Sequence, residues 1–158
     1  MAQKLSEQEV IAKYGKPNET GKGYLTLIKL PFPMYLAWDK TIKVTKISCH
    51  KLIAERLLKV FNELLEFYGE DKIHELGIDI YGGCFNYRKM RGGSSMSRHS
   101  WGIAIDLDPE RNGLKQTFNQ SQFSNLDYVT MMDIFYENGF LNYGIEFDLD
   151  TMHFETSI

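Results

Sequence analysis

Cysteine is almost missing from this chain of 158 residues: Cys49 and Cys84 are the only two, and they form no CxxC pair. That excludes a thiolate zinc site and a disulfide-stapled scaffold, so any metal must be bound through nitrogen and oxygen. Long apolar runs are missing too. No stretch approaches the ~20 apolar residues of a membrane span, and the first seven residues lack the apolar core of a secretory signal. A soluble chain is expected, made in the cytoplasm and staying there unless something else releases it, with no stable membrane association. There is no excess of positive charge: the net charge is -3, which argues against a dedicated nucleic-acid binder. Internal repeats and low-complexity segments are absent.

What is present is an ordinary globular composition, with 43% hydrophobic, 25% charged and 13% aromatic residues. A chain of this length buries about two-thirds of its unfolded surface, so a single domain over 1–158 is expected to fold without disulfides. Charge is unevenly spread. Lys40, Lys43, Lys46, Lys51, Arg56 and Lys59 read as a solvated basic surface. Arg88, Lys89, Arg91 and Arg98 instead cluster where an anionic substrate would be met.

The chain divides into recognisable pieces. Ser6 and Glu9 form a capping box for a short helix over 6–14 that Gly15 and Pro17 end. The stretch 15–23 is superficially like a phosphate loop but has the wrong glycine spacing and lacks the Ser or Thr for magnesium, so it reads as a loop. Pro31-Phe32-Pro33 reads as irregular, with Tyr35, Leu36 and Trp38 packing onto the core. The strongest helix spans 49–68, where Ile53, Leu57, Phe61, Leu64 and Tyr68 recur at spacings of three and four until Gly69. Strands are expected over 77–81, broken by Gly82-Gly83, over 103–107 and over 152–156. Between the last two, Ser124 and Asp127 are placed to cap a helix over 126–138 that Gly139 ends. The polar connection 108–125 is either a border of a substrate cleft or an ordinary surface loop.

The chemistry is concentrated in Ser97-Arg98-His99-Ser100-Trp101-Gly102-Ile103-Ala104-Ile105-Asp106 and, near the C-terminus, Asp150-Thr151-Met152-His153. His99, Asp106 and His153 supply two imidazoles and a carboxylate for one divalent metal, and Asp150 is a further carboxylate able to handle a proton. A catalytic zinc needs that set, with a fourth position left for water. In an extended chain His99 and Asp106 would be roughly 23 Å apart, so the chain must reverse between them. Gly102 can provide the bend. Beyond it, alternation puts Ala104 and Asp106 on one face of a strand and Ile103 and Ile105 on the other. The net positive charge of such a site lowers the pKa of a bound water toward ~7 and polarises a carbonyl. A zinc hydrolase is therefore expected.

The pattern Ser-x-His-x-x-Gly-x-Ala-x-Asp, followed late in the chain by Asp-x-x-His, resembles the zinc D-alanyl-D-alanine peptidases, a family that includes VanY-like carboxypeptidases and phage L-alanyl-D-glutamate endopeptidases. Tyr81-Gly82-Gly83-Cys84-Phe85-Asn86-Tyr87-Arg88 and Met152-His153-Phe154-Glu155 resemble the endopeptidase branch. The likeness covers the second half of the chain well and the first half loosely. It implies an α+β fold of the Hedgehog/DD-peptidase type, with helices packed on a small antiparallel sheet, and one zinc ion on His99, Asp106 and His153. It further implies Asp150 as the catalytic carboxylate, Arg88 as the group that stabilises the oxyanion with Arg91 in reserve, and Ser97 as a residue that binds substrate or orients the ligand loop. Losing one oxyanion donor commonly costs about 3 kcal/mol. Relatives in that branch often carry Trp-Gly-Gly-Asp-Trp ahead of the last histidine, where this chain has Tyr143-Gly144-Ile145-Glu146-Phe147-Asp148. Glu146 and Asp148 therefore compete with Asp150 as base.

The resemblance implies a monomeric zinc metallopeptidase acting on peptidoglycan stem peptides, at the L-Ala-D-Glu bond in the manner of an endolysin. Its rivals are a D,D-carboxypeptidase or D-Ala-D-Ala dipeptidase and, in another class, a noncatalytic zinc-binding interaction domain. Cys84 as a cysteine-peptidase nucleophile is a remote alternative, lacking recognisable context. His50 and His74 are expected to be structural, and Tyr81, Phe85 and Trp101 to serve the core.

Overall fold

The computed structural model describes residues 2–158 as an α+β fold. The first helix, α1 (Glu7–Tyr14), begins as its capping box requires. Ser6 Oγ accepts from the Glu9 amide at 3.1 Å, and Glu9 Oε1 accepts from the Ser6 amide at 3.0 Å. There follow β1 (Leu25–Leu36) and β2 (Asp39–His50), a long antiparallel hairpin spanning the stretch expected to be irregular. Pro31 and Pro33 have no amide to donate, and the ladder shifts register between Lys29 and Met34, where they sit. Ile28, Leu30, Phe32 and Met34 still alternate inward and are buried. Trp38, expected in the core, lies at the hairpin turn and is 70% exposed, while Tyr35 and Leu36 are half-buried.

Helix α2 (Ala54–Tyr68) buries Leu57, Val60, Phe61 and Leu64. It starts later than its apolar spacing suggests, because Cys49 and His50 finish β2. A short helix, α3 (Glu70–Leu76), leads to β3 (Ile80–Gly83), which runs through the two glycines expected to break it. Then come β4 (Ala104–Leu107), α4 (Val129–Glu137), β5 (Phe140–Asn142), α5 (Tyr143–Phe147) and β6 (His153–Thr156). The entry to α4 differs from expectation: Leu126–Tyr128 is a 3-10 turn, and Ser124 Oγ bonds the Ser121 carbonyl at 2.8 Å instead of capping the helix.

The six strands form one sheet in the order β2-β1-β3-β4-β6-β5. It is mixed and not purely antiparallel, because β1 and β3 pair in parallel, Tyr35 with Ile80 and Leu36 with Tyr81. Phe32 meets Phe61 edge-on at 5.9 Å, tying β1 to α2, and Phe135 stacks on Phe154 at 4.0 Å, tying α4 to β6. Trp101 is fully buried, its Nε1 donating to the Gly15 carbonyl at 2.7 Å. His50 is buried between Tyr14 and Tyr24 and bonds the Tyr14 carbonyl. His74 Nδ1 lies 2.6 Å from Asp79. Cys84 bonds the Gly102 carbonyl and burial pushes its thiol well up, which removes it as a nucleophile. No helix among the described residues is long and apolar enough to cross a membrane.

Gly102 has φ +70, and a Cβ there would lie 2.8 Å from Leu25 Cδ2 and 2.9 Å from the His50 amide nitrogen. Both the left-handed backbone and the contact with β2 oppose a side chain. Gly102→Ala should lower stability by about 1–3 kcal/mol in urea unfolding; an unchanged midpoint would contradict this packing.

Candidate metal centre

Pairing between β4 and β6 sets Asp106 opposite His153 and Ala104 opposite Glu155. Alternation along both strands sends Asp106, His153 and Glu155 to one face, while Ile105 and Phe154 enter the core on the other. The small Ala104 thus leaves room for the Glu155 carboxylate. His99 comes from the 3-10 turn Arg98–Trp101, whose cap is Ser97: its Oγ accepts from the His99 amide at 3.2 Å. Gly102, in the left-handed region, turns the chain from that helix into β4.

These elements bring His99, Asp106 and His153 into one cluster whose ligand atoms all lie within 4.8 Å of one another. His99 Nε2 is 3.2 Å from Asp106 Oδ2, and His153 Nδ1 is 3.3 Å from Asp106 Oδ1. The outer nitrogens are already engaged. His99 Nδ1 lies 2.7 Å from the Cys84 carbonyl and His153 Nε2 lies 2.8 Å from Glu155 Oε1. A carbonyl can only accept, so His99 carries its hydrogen on Nδ1 and, when neutral, turns the Nε2 lone pair toward a carboxylate. Two acceptors, His99 Nε2 and Asp106 Oδ2, then face each other at 3.2 Å, and His99 Nε2 is buried without a hydrogen-bond partner among the described residues. A cation resolves that arrangement. Two imidazole nitrogens, one carboxylate oxygen and outer partners that orient each ring fit a divalent metal.

Approach between β3 and β4 is close at this point: a Cβ on Gly82 would lie 3.0 Å from Asp106 Cβ. Glycine there lets Asp106 sit against the neighbouring strand. The missed partner is Glu155, whose signal was its spacing of two residues from His153 on a strand.

The cluster lines a cleft of about 280 Å³ with Arg88, Arg91, Ser97, Arg98, Asp150, Tyr143 and Leu114. Asp150 has φ +54 and is held through its amide to the Leu114 carbonyl at 3.1 Å. Leu114 makes the connection after β4 a border of the cleft. Burial raises the Asp150 carboxyl above its ordinary value, opposed by the charges of His153, His99 and Arg88. Glu146 and Asp148 are exposed and line no part of the cleft; Asp148 Oδ1 instead accepts from the Phe118 amide at 2.9 Å. Arg88 is half-buried, and its backbone is fixed by bonds to Ser97 and Ser100. Arg91 is exposed on the loop between them.

Residues 91–156 match the family model described as D-alanyl-D-alanine carboxypeptidase. The match covers less than half of the chain; it includes His99, Asp106, Asp150 and His153 and leaves Arg88 outside. It supports, in general terms, a metallopeptidase directed at peptidoglycan. No curated protein and no solved structure matches the chain.

Burial disfavours a charged His153, but the carboxylates of Asp106 and Glu155 on its two nitrogens outweigh that and raise its pKa to about 10. Without metal it is therefore protonated at neutral pH, whereas a metal needs the Nδ1 lone pair. Metal affinity should rise with pH up to that value, and binding at pH 7 should release about one proton. Titration calorimetry in buffers of different ionisation enthalpy measures the release, and heats independent of buffer would contradict it.

Proposed function

We propose that this protein is a zinc-dependent peptidase that cleaves the stem peptide of bacterial peptidoglycan at the L-Ala-D-Glu bond. The observation that carries the reading is His99 Nε2, a buried acceptor without a hydrogen-bond partner among the described residues, turned toward the Asp106 carboxylate beside His153 in a cleft that Asp150 also lines. His99, Asp106 and His153 would hold the metal. When bound, it would acidify a water and polarise the scissile carbonyl.

Asp150 then takes the proton from the attacking water and delivers it to the leaving amine. Its raised pKa suits a group that must both accept and return a proton. Arg88 brings a guanidinium to the oxyanion that forms on the carbonyl, with Arg91 on the same rim. Ser97 fixes the ligand loop through His99 and lies within reach of substrate at the cleft wall. The choice of bond rests on aspartate, not glutamate, three residues before the last ligand, as in the endopeptidase branch that the sequence resembles. A D,D-carboxypeptidase is the second reading, favoured by the description of the matching family. A noncatalytic zinc domain would need neither Asp150 nor an open cleft. The chain is proposed to act as a monomer on stem peptides, without nucleic acid.

Among uncharged residues other than glycine, asparagine is one of those that best tolerate the left-handed backbone at position 150. Asp150→Asn should keep its zinc while losing turnover by about 10²–10⁴-fold. Full activity would move the base elsewhere. Mass spectrometry of digests should find new L-Ala carboxyl ends and D-Glu amines that vanish with chelator. Release of D-Ala instead would assign a carboxypeptidase, and no product from any wall type would leave a noncatalytic domain.

A further inference from the structure

The segment ahead of α1 runs alongside the metal centre. Its Ala2 amide donates to Tyr136 Oη at 3.1 Å, and its Leu5 carbonyl accepts from Arg98 Nη2 at 3.0 Å. Between them Lys4 reaches inward and its Nζ donates to the hydroxyl of Tyr143. The same ammonium lies 4.8 Å from the centre of the Tyr143 ring and 5.8 Å from that of Phe147. On its other side the Tyr143 ring packs against the imidazole of His153, with centroids 4.2 Å apart. Lys4 lines no part of the cleft.

The outer nitrogen of His153 is engaged by a buried carboxylate. Glu155 is 1% exposed, with one oxygen engaged by His153 Nε2 at 2.8 Å. Its only ion pair among the described residues is with His153.

We propose that Lys4 is a positioning residue of the metal centre: from behind the cleft it holds Tyr143 against the His153 ring, whose outer nitrogen Glu155 engages. The inference rests on the metal reading of His99, Asp106 and His153 and not on the choice of substrate. Outer-shell partners of metal-bound histidines commonly govern affinity by about 10–100-fold, and Lys4 acts one contact further out.

The test measures zinc affinity by competition with a chromophoric chelator, together with the visible spectrum of the cobalt-loaded protein. Lys4→Met should weaken zinc binding by about tenfold and change the cobalt spectrum, while the metal-free protein melts as before. Lys4→Arg, which keeps the cation, should restore both. Tyr143→Phe removes the hydroxyl that Lys4 holds and keeps the ring against His153, and it should shift affinity in the same direction even if Lys4→Met folds poorly. Wild-type affinity and spectrum in Lys4→Met and Tyr143→Phe would overturn the role of Lys4 and leave the metal centre standing. An unmodified protein that takes up no zinc would overturn the metal centre and this inference together.

Discussion

The site depends on one register, that of β4 against β6. Asp106 opposite His153 and Ala104 opposite Glu155 put two ligand side chains and the orienting carboxylate on one face. A slip of one residue would turn those groups into the core and bring Ile105 and Phe154 out. The hydrophobic face protects the polar one. Phe154 stacks on Phe135 of α4 and Ile105 is buried, so the apolar packing that stabilises the sheet also fixes the geometry of the His99, Asp106 and His153 cluster. His99 is added by a single reversal at Gly102, the position where a side chain fits neither the backbone nor the space.

A second constraint is electrostatic. Asp106, His153 and Glu155 lie close together with little exposure, and burial by itself would neutralise all three. They remain charged because they alternate in sign: the two histidines hold Asp106 well below the carboxylate range, and His153 does the same for Glu155. Removing one partner from such a cluster leaves an uncompensated buried charge, which costs far more than the pair contributes. A dication placed between His99 Nε2 and the Asp106 carboxylate would meet two acceptors that face each other at 3.2 Å.

Local chemistry made much of this legible from the residues alone. The ligand block is compact, the glycine that bends it is inside it, and period-two alternation sorts its side chains correctly. The capping box of Ser6 and Glu9 and the apolar stripe of α2 are likewise local, and both helices form. What failed was decided by partners distant in sequence. Pro31 and Pro33 argue against a strand, yet the hairpin absorbs them at a register shift. Trp38 looks like a core residue but falls at a turn. The contest between Asp150, Glu146 and Asp148 cannot be judged from spacing; in the structure only Asp150 lines the cleft. Lys4 and Tyr143 are 139 residues apart, and no local pattern announces their contact.

The most direct test of the account is a crystal of the zinc-loaded protein examined by anomalous scattering at the zinc edge. One peak bonded to His99 Nε2, His153 Nδ1 and an Asp106 oxygen at about 2.0–2.2 Å, with a further position open to the cleft, is expected. A peak at other residues, or none where these three side chains converge, would contradict it.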